Sequence, residues 1–78
     1  MIGAILKNMR LSAKLSQNQL GKKLNMADTT ISSYERENSQ PDFSTIVNIA
    51  KICGYEFLIK DKDKNIIPLD EMAKEKDF

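Results

Sequence analysis

The chain has 78 residues, of which 41% are apolar and 29% are charged, and its formal net charge is +1. This length and balance predict one small soluble domain with a core near the lower limit of independent stability, and they exclude a disordered chain. With no histidine, one cysteine and three glycines, the sequence lacks the commonest general base, a zinc-binding cluster and a glycine-rich phosphate loop. We therefore expect a binding protein and not an enzyme, with no cofactor and no metal.

Targeting signals are not evident in the sequence. The opening MIGAILKNMR lacks the basic start and apolar run of a signal peptide, and no apolar run is long enough to span a bilayer. The one cysteine, Cys53, falls on an apolar helical stripe, which is typical of a small buried side chain and not of a reactive thiol. We expect a reduced, cytoplasmic protein without membrane contact.

Two short helices are predicted at the start of the chain. Apolar residues recur at helical spacing over Ile2–Lys14 and predict the first helix. Ser16 and Gln19 have the form of a capping box, in which Ser16 is the N-cap of the second helix. Gly21 in that helix indicates the close approach of another backbone, and Asn25 is typical of the left-handed residue that ends a helix.

The stretch DTTISSYERE, residues 28–37, predicts a third helix after a very short turn. Ile31 and Tyr34 lie three residues apart, as on the buried stripe of a helix. The side chains around them are short and polar: Asp28, Thr29, Thr30, Ser32 and Ser33. A face meant only for water would favour better helix formers such as Glu, Lys or Ala, so this face is expected to touch a ligand closely. Two helices joined by so short a turn have a helix-turn-helix layout.

The last part of the chain predicts one more helix and a β-hairpin. Asp42 is a good N-cap and Gly54 a good helix end. The apolar stripe between them consists of Phe43, Ile46, Ile49, Ala50 and Cys53. The stretch YEFLI then alternates as a strand does, and NIIPL returns as a second strand that Pro68 ends. The boundaries are thus residues 1–54 for the helical domain, 55–69 for the hairpin and 70–78 for a charged tail, expected to be a frayed helix or disordered.

Residues 15–41, LSQNQLGKKLNMADTTISSYERENSQP, resemble the central motif of the lambda-repressor/Cro-like helix-turn-helix family of bacterial and phage regulators. Matching family features also lie outside this stretch, at Leu6, Arg10, Ile46, Ile49, Ala50 and Gly54. The resemblance covers roughly the first three-quarters of the chain and is more specific than a lone short motif. It implies a mainly α fold, namely a lambda-repressor-like helix-turn-helix bundle of about five short helices with a short C-terminal β-hairpin.

Three residues depart from the family pattern. Gly21 stands where alanine is usual, Asn25 where glycine is usual, and Glu37 where glycine normally ends the third helix. The first two changes are sterically mild. We expect Asn38 to take the turn conformation in place of Glu37, and we expect weaker contact with a DNA phosphate beside this acid.

The resemblance implies that the third helix, about residues 28–36, lies in the major groove with its first residues against base edges. The base-contact candidates carried over are Ala27, Asp28, Thr29, Ser32 and Ser33. The candidates for contact with the DNA backbone are Gln17, Arg36, Asn38, Ser39 and Gln40. The alternative is that Asp28 and Thr29 only cap the helix while the serines are solvated. Arg10 and Glu35 stand at the positions of a family arginine–glutamate pair and are interpreted as a structural ion pair.

A net charge of +1 is modest for a nucleic-acid binder, so useful affinity is expected to need two copies. Two hairpins paired edge to edge would cover apolar strands that a monomer leaves exposed. The sequence thus predicts a homodimer on a palindromic operator, with an interface formed by Tyr55, Phe57, Leu58, Ile59, Ile66 and Ile67. The alternative is that each hairpin folds back on its own helices and the dimer forms only on DNA.

The function that follows from the resemblance is sequence-specific binding of double-stranded DNA as a transcriptional regulator. Steric occlusion of a promoter would most simply make it a repressor. Two alternatives remain open. One is the antitoxin of a toxin–antitoxin pair, whose protein partner would be the toxin, and the other is a protein-interaction adaptor without DNA binding.

Overall fold

The computed structural model describes residues 1–72, and residues 73–78 of the predicted tail lie outside this range. The elements in chain order are α1 (Ile2–Ser12), α2 (Gln17–Leu24), α3 (Asp28–Glu35), α4 (Phe43–Ile52), β1 (Leu58–Lys60), β2 (Ile66–Pro68) and α5 (Leu69–Met72). The predicted mainly α fold with a C-terminal hairpin is therefore confirmed. None of the helices within residues 1–72 has the length and apolar character needed to cross a membrane.

The core lies between the first four helices, and each of them contributes one of the four largest fully buried side chains. These side chains are Leu6, Leu20, Ile31 and Ile49. Helices of this length are marginal on their own in water, so their stability depends on this shared packing. Phe43 departs from the expected stripe of α4: its side chain is 61% exposed, and its ring lies 6.5 Å from the ring of Phe57. It is the first residue of α4.

Helix α1 ends at Ser12, two residues before the predicted end. The reason is that Lys14 takes a left-handed conformation with φ of 59°. The amide of Lys14 donates to the carbonyl of Leu11 at 2.9 Å, and the amide of Leu15 donates to the carbonyl of Arg10 at 3.2 Å. These bonds satisfy carbonyls that the helix end would leave unpaired. Hydrophobic periodicity cannot detect this turn, because the apolar spacing of α1 continues to Ala13, beyond the end of the helix.

The turn between α2 and α3 has the predicted local chemistry. Ser16 Oγ accepts the Gln19 amide at 3.0 Å and Gln19 Oε1 accepts the Ser16 amide at 2.8 Å, which confirms the capping box. Asn25 has φ of 58° and ends α2 as expected. A Cβ on Gly21 would lie 2.5 Å from the Met26 carbonyl oxygen. The backbone entering α3 therefore occupies the space that any side chain at this position would need.

The hairpin pairs β1 with β2 in antiparallel register, with Leu58 opposite Pro68 and Ile59 opposite Ile67. Ile59 and Ile67 are half-buried, whereas Leu58 on the other face is 53% exposed. In the connecting turn, Asp61 Oδ1 accepts two amide hydrogens, each at 2.9 Å. The principal contacts of the strands are with each other and with α5. The hairpin thus joins the helical domain mainly through the segment before it.

Replacing Gly21 with alanine should destabilise the protein by about 1–3 kcal/mol, because the new Cβ meets backbone and not a movable side chain. In an unobstructed helix the same change stabilises by about 0.5–1 kcal/mol, so the sign of the effect is diagnostic. Urea unfolding followed by circular dichroism measures it. Asn18→Ala, at an exposed position of the same helix, is the control and should change the free energy of unfolding by less than about 0.5 kcal/mol.

Candidate nucleic-acid interface

Helix α3 has one side in the core and one side open to solvent. Ile31 is 1% exposed, and Tyr34 is half-buried beside it. Ala27 is the N-cap residue of α3, and within residues 1–72 no side-chain hydrogen bond caps this helix. The alternative that Asp28 and Thr29 serve only as caps therefore has no support in the hydrogen bonding.

The base-contact candidates lie together on and before the open side of α3. Ala27, Asp28 and Thr29 are exposed, while Ser32 and Ser33 are half-buried. The hydroxyls of Ser33 and Ser39 lie 2.8 Å apart, so a base-contact candidate and a backbone-contact candidate bond each other directly. Each hydroxyl can donate one hydrogen bond and accept two, so both keep capacity for a further partner.

The candidates for backbone contact occupy two places. Arg36, Asn38, Ser39 and Gln40 are all exposed in the segment that follows α3. Gln17 lies at the first position of α2 and is half-buried. Its Nε2 donates to Glu35 Oε1 at 3.2 Å, so its amide nitrogen is directed to the end of α3. The second hydrogen of Nε2 remains available to donate to a phosphate, because a glutamine amide nitrogen carries two hydrogens and Glu35 accepts one of them.

Behind this surface lies the ion pair of Arg10 and Glu35. Arg10 Nε lies 2.6 Å from Glu35 Oε2 and Nη2 lies 2.9 Å from Oε1, which makes the pair bidentate. The two side chains are 8% and 4% exposed. Arg10 Nη1 also donates to the Leu15 carbonyl at 2.9 Å. One guanidinium thus connects α1, the turn before α2, and the end of α3.

Arg10 and Glu35 are buried charged groups, and each is stabilised in its charged form by its hydrogen bonds to the other. Burial raises the pKa of Glu35, but the hydrogen bonds from Arg10 and Gln17 and the positive charge of Arg10 outweigh it, so the pKa lies below its ordinary value. The hydrogen bond to Glu35 raises the pKa of Arg10 despite burial. Both groups are charged at neutral pH.

Comparison with known proteins agrees with this geometry. Residues 6–59 match the family described as helix-turn-helix. The chain belongs to this Cro/C1-type helix-turn-helix family. A helix-turn-helix-type transcriptional regulator of Bacillus subtilis, the uncharacterised YqaE, is 30% identical over 71 residues, which are 88% of this chain and 61% of the relative. The chain thus spans about three-fifths of that relative's length. No solved structure matches the chain.

The departure from the family pattern at Glu37 has a structural cause. The expectation that Asn38 would take the turn conformation is wrong, because Glu37 itself has φ of 61°. Its carboxylate accepts the Gly3 amide at 3.2 Å and contacts the Met1 amino group, at an end of α1 that has no side-chain cap of its own. These contacts offset a left-handed conformation that costs roughly 1 kcal/mol or more for a residue with a Cβ.

Gly3 is a residue that sequence reasoning missed. A Cβ at this position would lie 2.4 Å from the Glu35 carbonyl oxygen and 2.9 Å from that of Tyr34. The first turn of α1 therefore packs directly on the last backbone turn of α3. The available signal was a glycine early in a helix, where it costs about 1 kcal/mol relative to alanine unless close packing requires it.

Replacing Arg10 with methionine should destabilise the fold by about 3 kcal/mol, because it leaves the Glu35 carboxylate buried without its counterion. Thermal and urea unfolding measure the loss. The matched control is Lys51→Met, which removes an exposed pair with Asp70 at 3.8 Å and should cost less than about 1 kcal/mol. Equal effects of the two substitutions would contradict the importance of the buried pair.

The lowered pKa of Glu35 also predicts a pH dependence. A folded-state pKa below the unfolded value contributes stability that is present above the ordinary glutamate pKa of about 4.3 and is lost as the pH falls through the folded-state value. The free energy of unfolding should therefore fall below pH of about 4.5, and less steeply in Glu35→Gln. Hydrogen bonds also lower the pKa of Glu37, Asp42 and Asp61. These groups titrate in both proteins, so only the difference in slope reports Glu35, and equal slopes would contradict the prediction.

Proposed function

We propose that the chain is a cytoplasmic transcriptional regulator that binds double-stranded DNA sequence-specifically, with α3 in the major groove. The observation that carries this proposal is the surface of α3 itself. The buried Ile31 fixes the rotation of the helix, and the open side then presents short polar side chains from its first residues onward. Short side chains let a helix backbone lie deep in the groove, where its N-terminal residues contact base edges. The Bacillus subtilis relative, whose name describes it as a transcriptional regulator of the helix-turn-helix type, supports the same function.

The proposed contacts divide into two groups. Asp28, Thr29, Ser32 and Ser33, together with the exposed Ala27 methyl, face the bases, where hydroxyls donate or accept and methyl groups contact thymine. Arg36, Asn38, Ser39 and Gln40 contact phosphates at the end of α3. Gln17 contacts a phosphate at the start of α2 and also supports α3 through Glu35. Phosphate contacts fix the position of the domain, and base contacts supply discrimination.

The mode of regulation proposed is repression by a homodimer. One helix-turn-helix reads a half-site, so two copies would read a palindromic operator with half-sites about 34 Å apart, and the bound dimer would occlude a promoter. The modest net charge of +1 favours two copies over one. The hairpin supplies an exposed apolar side chain, Leu58, for the contact between copies.

We expect Thr29→Ala and Ser33→Ala each to weaken binding to the preferred duplex by about 1–3 kcal/mol while barely changing binding to random DNA. The preferred duplex is first selected from a random pool with the unaltered protein, and fluorescence anisotropy then gives both affinities at one salt concentration. Failure of the unaltered protein to enrich any sequence would contradict sequence-specific binding.

Arg36→Ala is the contrasting variant, because a phosphate contact carries no sequence information. It should weaken binding to both duplexes equally and lower the dependence of log affinity on log salt by about one unit. A similar uniform loss in Thr29→Ala would show that Thr29 contacts a phosphate and not a base.

A further inference from the structure

The two edges of the hairpin differ in what they offer to another strand. The Leu69 amide donates to the Phe57 carbonyl and the Asp61 amide donates to the Asn65 carbonyl, both at 3.0 Å. Because hydrogen bonding alternates along an antiparallel pair, residues 57, 59 and 61 bond across the hairpin. Leu58 and Lys60 therefore direct their N–H and C=O groups away from β2. Within residues 1–72 the sheet has only these two strands, so this β1 edge is unpaired.

The outer edge of β2 is a poorer template for another strand. By the same alternation, Ile66 and Pro68 face outward on β2, and Pro68 has no amide hydrogen to donate. Helix α5 begins at Leu69, immediately after this proline, and ends the extended backbone. The β1 edge can donate at two successive outward positions, whereas the β2 edge can donate only at Ile66.

We propose that β1 pairs antiparallel with β1 of a second copy of this chain, in the register that sets Leu58 opposite the partner's Leu58. The resulting sheet has four strands in the order β2, β1, partner β1, partner β2. This inference rests on the homodimer of the proposed function and specifies its interface. We infer a second copy because the sequence of this strand is complementary to itself when it runs antiparallel: its charged residues then meet opposite charges, and its apolar residues meet apolar ones.

Charge complementarity selects this register. It places Glu56 opposite the partner's Lys60, and the twofold axis repeats the pair. Both side chains are exposed, and neither has an ion-pair partner in the part of the chain that the structure describes. The register thus pairs two opposite charges that each copy leaves unpaired.

The apolar residues of the same strand favour the same register. Phe57 lies opposite the partner's Ile59, so the half-buried faces of the two hairpins join into one apolar row. Sliding one strand by two residues would set Phe57 opposite the partner's Asp61, and a further slide would set two Lys60 side chains opposite each other. A slide in the other direction sets Leu58 opposite the partner's Glu56. Only the proposed register matches both charge and hydrophobicity at every position from 56 to 60.

Disulfide trapping of the full chain, without DNA, tests the edge and the register. Leu58→Cys should give a covalent dimer under mild oxidation, because residues opposite each other in a hydrogen-bonded antiparallel pair have Cα atoms about 5.5 Å apart, within disulfide range. Unaltered protein is the background control, since its one thiol, Cys53, is buried. Ile66→Cys is the matched control: its position is 60% exposed but lies on the β2 edge, and it should give at least about tenfold less dimer.

Ile59→Cys reports the competing register. It should not crosslink if Ile59 faces the partner's Phe57, but it would crosslink if the strands were shifted by two residues so that two Ile59 side chains met. Efficient crosslinking through Ile59→Cys, or through Ile66→Cys as readily as through Leu58→Cys, would overturn the proposed pairing.

Charge reversal provides a second test that needs no thiol. Glu56→Lys and Lys60→Glu should each weaken dimerisation about tenfold in sedimentation equilibrium, and the double variant should restore it. Lack of restoration would overturn the register.

A protein that crosslinks through Leu58→Cys but enriches no duplex would contradict the proposed function alone. A protein that binds its selected duplex as a dimer without this crosslink would contradict this interface alone.

Discussion

The bidentate contact between Arg10 and Glu35 is the interaction on which the arrangement of the helices depends. Taking both charges out of water is costly, so the pair stabilises the protein only if its geometry is good and its remaining hydrogen-bonding groups are satisfied. Both conditions hold, because the guanidinium also bonds the Leu15 carbonyl and the carboxylate also accepts from Gln17. A change in the position of any of these helices would leave a buried charge without a partner. The pair therefore penalises alternative packings of α1, α2 and α3.

The features that the sequence predicted well are local ones. The capping box at Ser16, the left-handed Asn25 and the close approach at Gly21 each follow from the chemistry of a few neighbouring residues. Helical periodicity likewise located the buried Ile31 and Ile49. These signals sufficed for the order of the elements and for the helix-turn-helix layout.

The features that the sequence predicted poorly depend on residues far apart in the chain. Glu37 takes the left-handed turn because its carboxylate reaches the start of α1, more than thirty residues away. Phe43 is exposed although it lies on the apolar stripe of α4, and its ring neighbours that of Phe57 beyond the end of the helix, which no pattern within the helix reveals. The side chains of the proposed DNA surface were identified from the family resemblance, since a run of small polar residues does not by itself say which of them contact a base.

The two close glycine contacts have a consequence for how this fold can change over time. Gly21 lets the backbone entering α3 lie against α2, and Gly3 lets the backbone at the other end of α3 lie against α1. Main-chain contacts therefore fix the position of helix α3 at both ends, and these contacts involve no side chain of its open face. Substitutions at Asp28, Thr29 or Ser32 can therefore accumulate without moving the helix. The side chains of the open face can therefore be replaced one at a time. Selection then acts on the binding surface alone, because the packing of α3 stays the same.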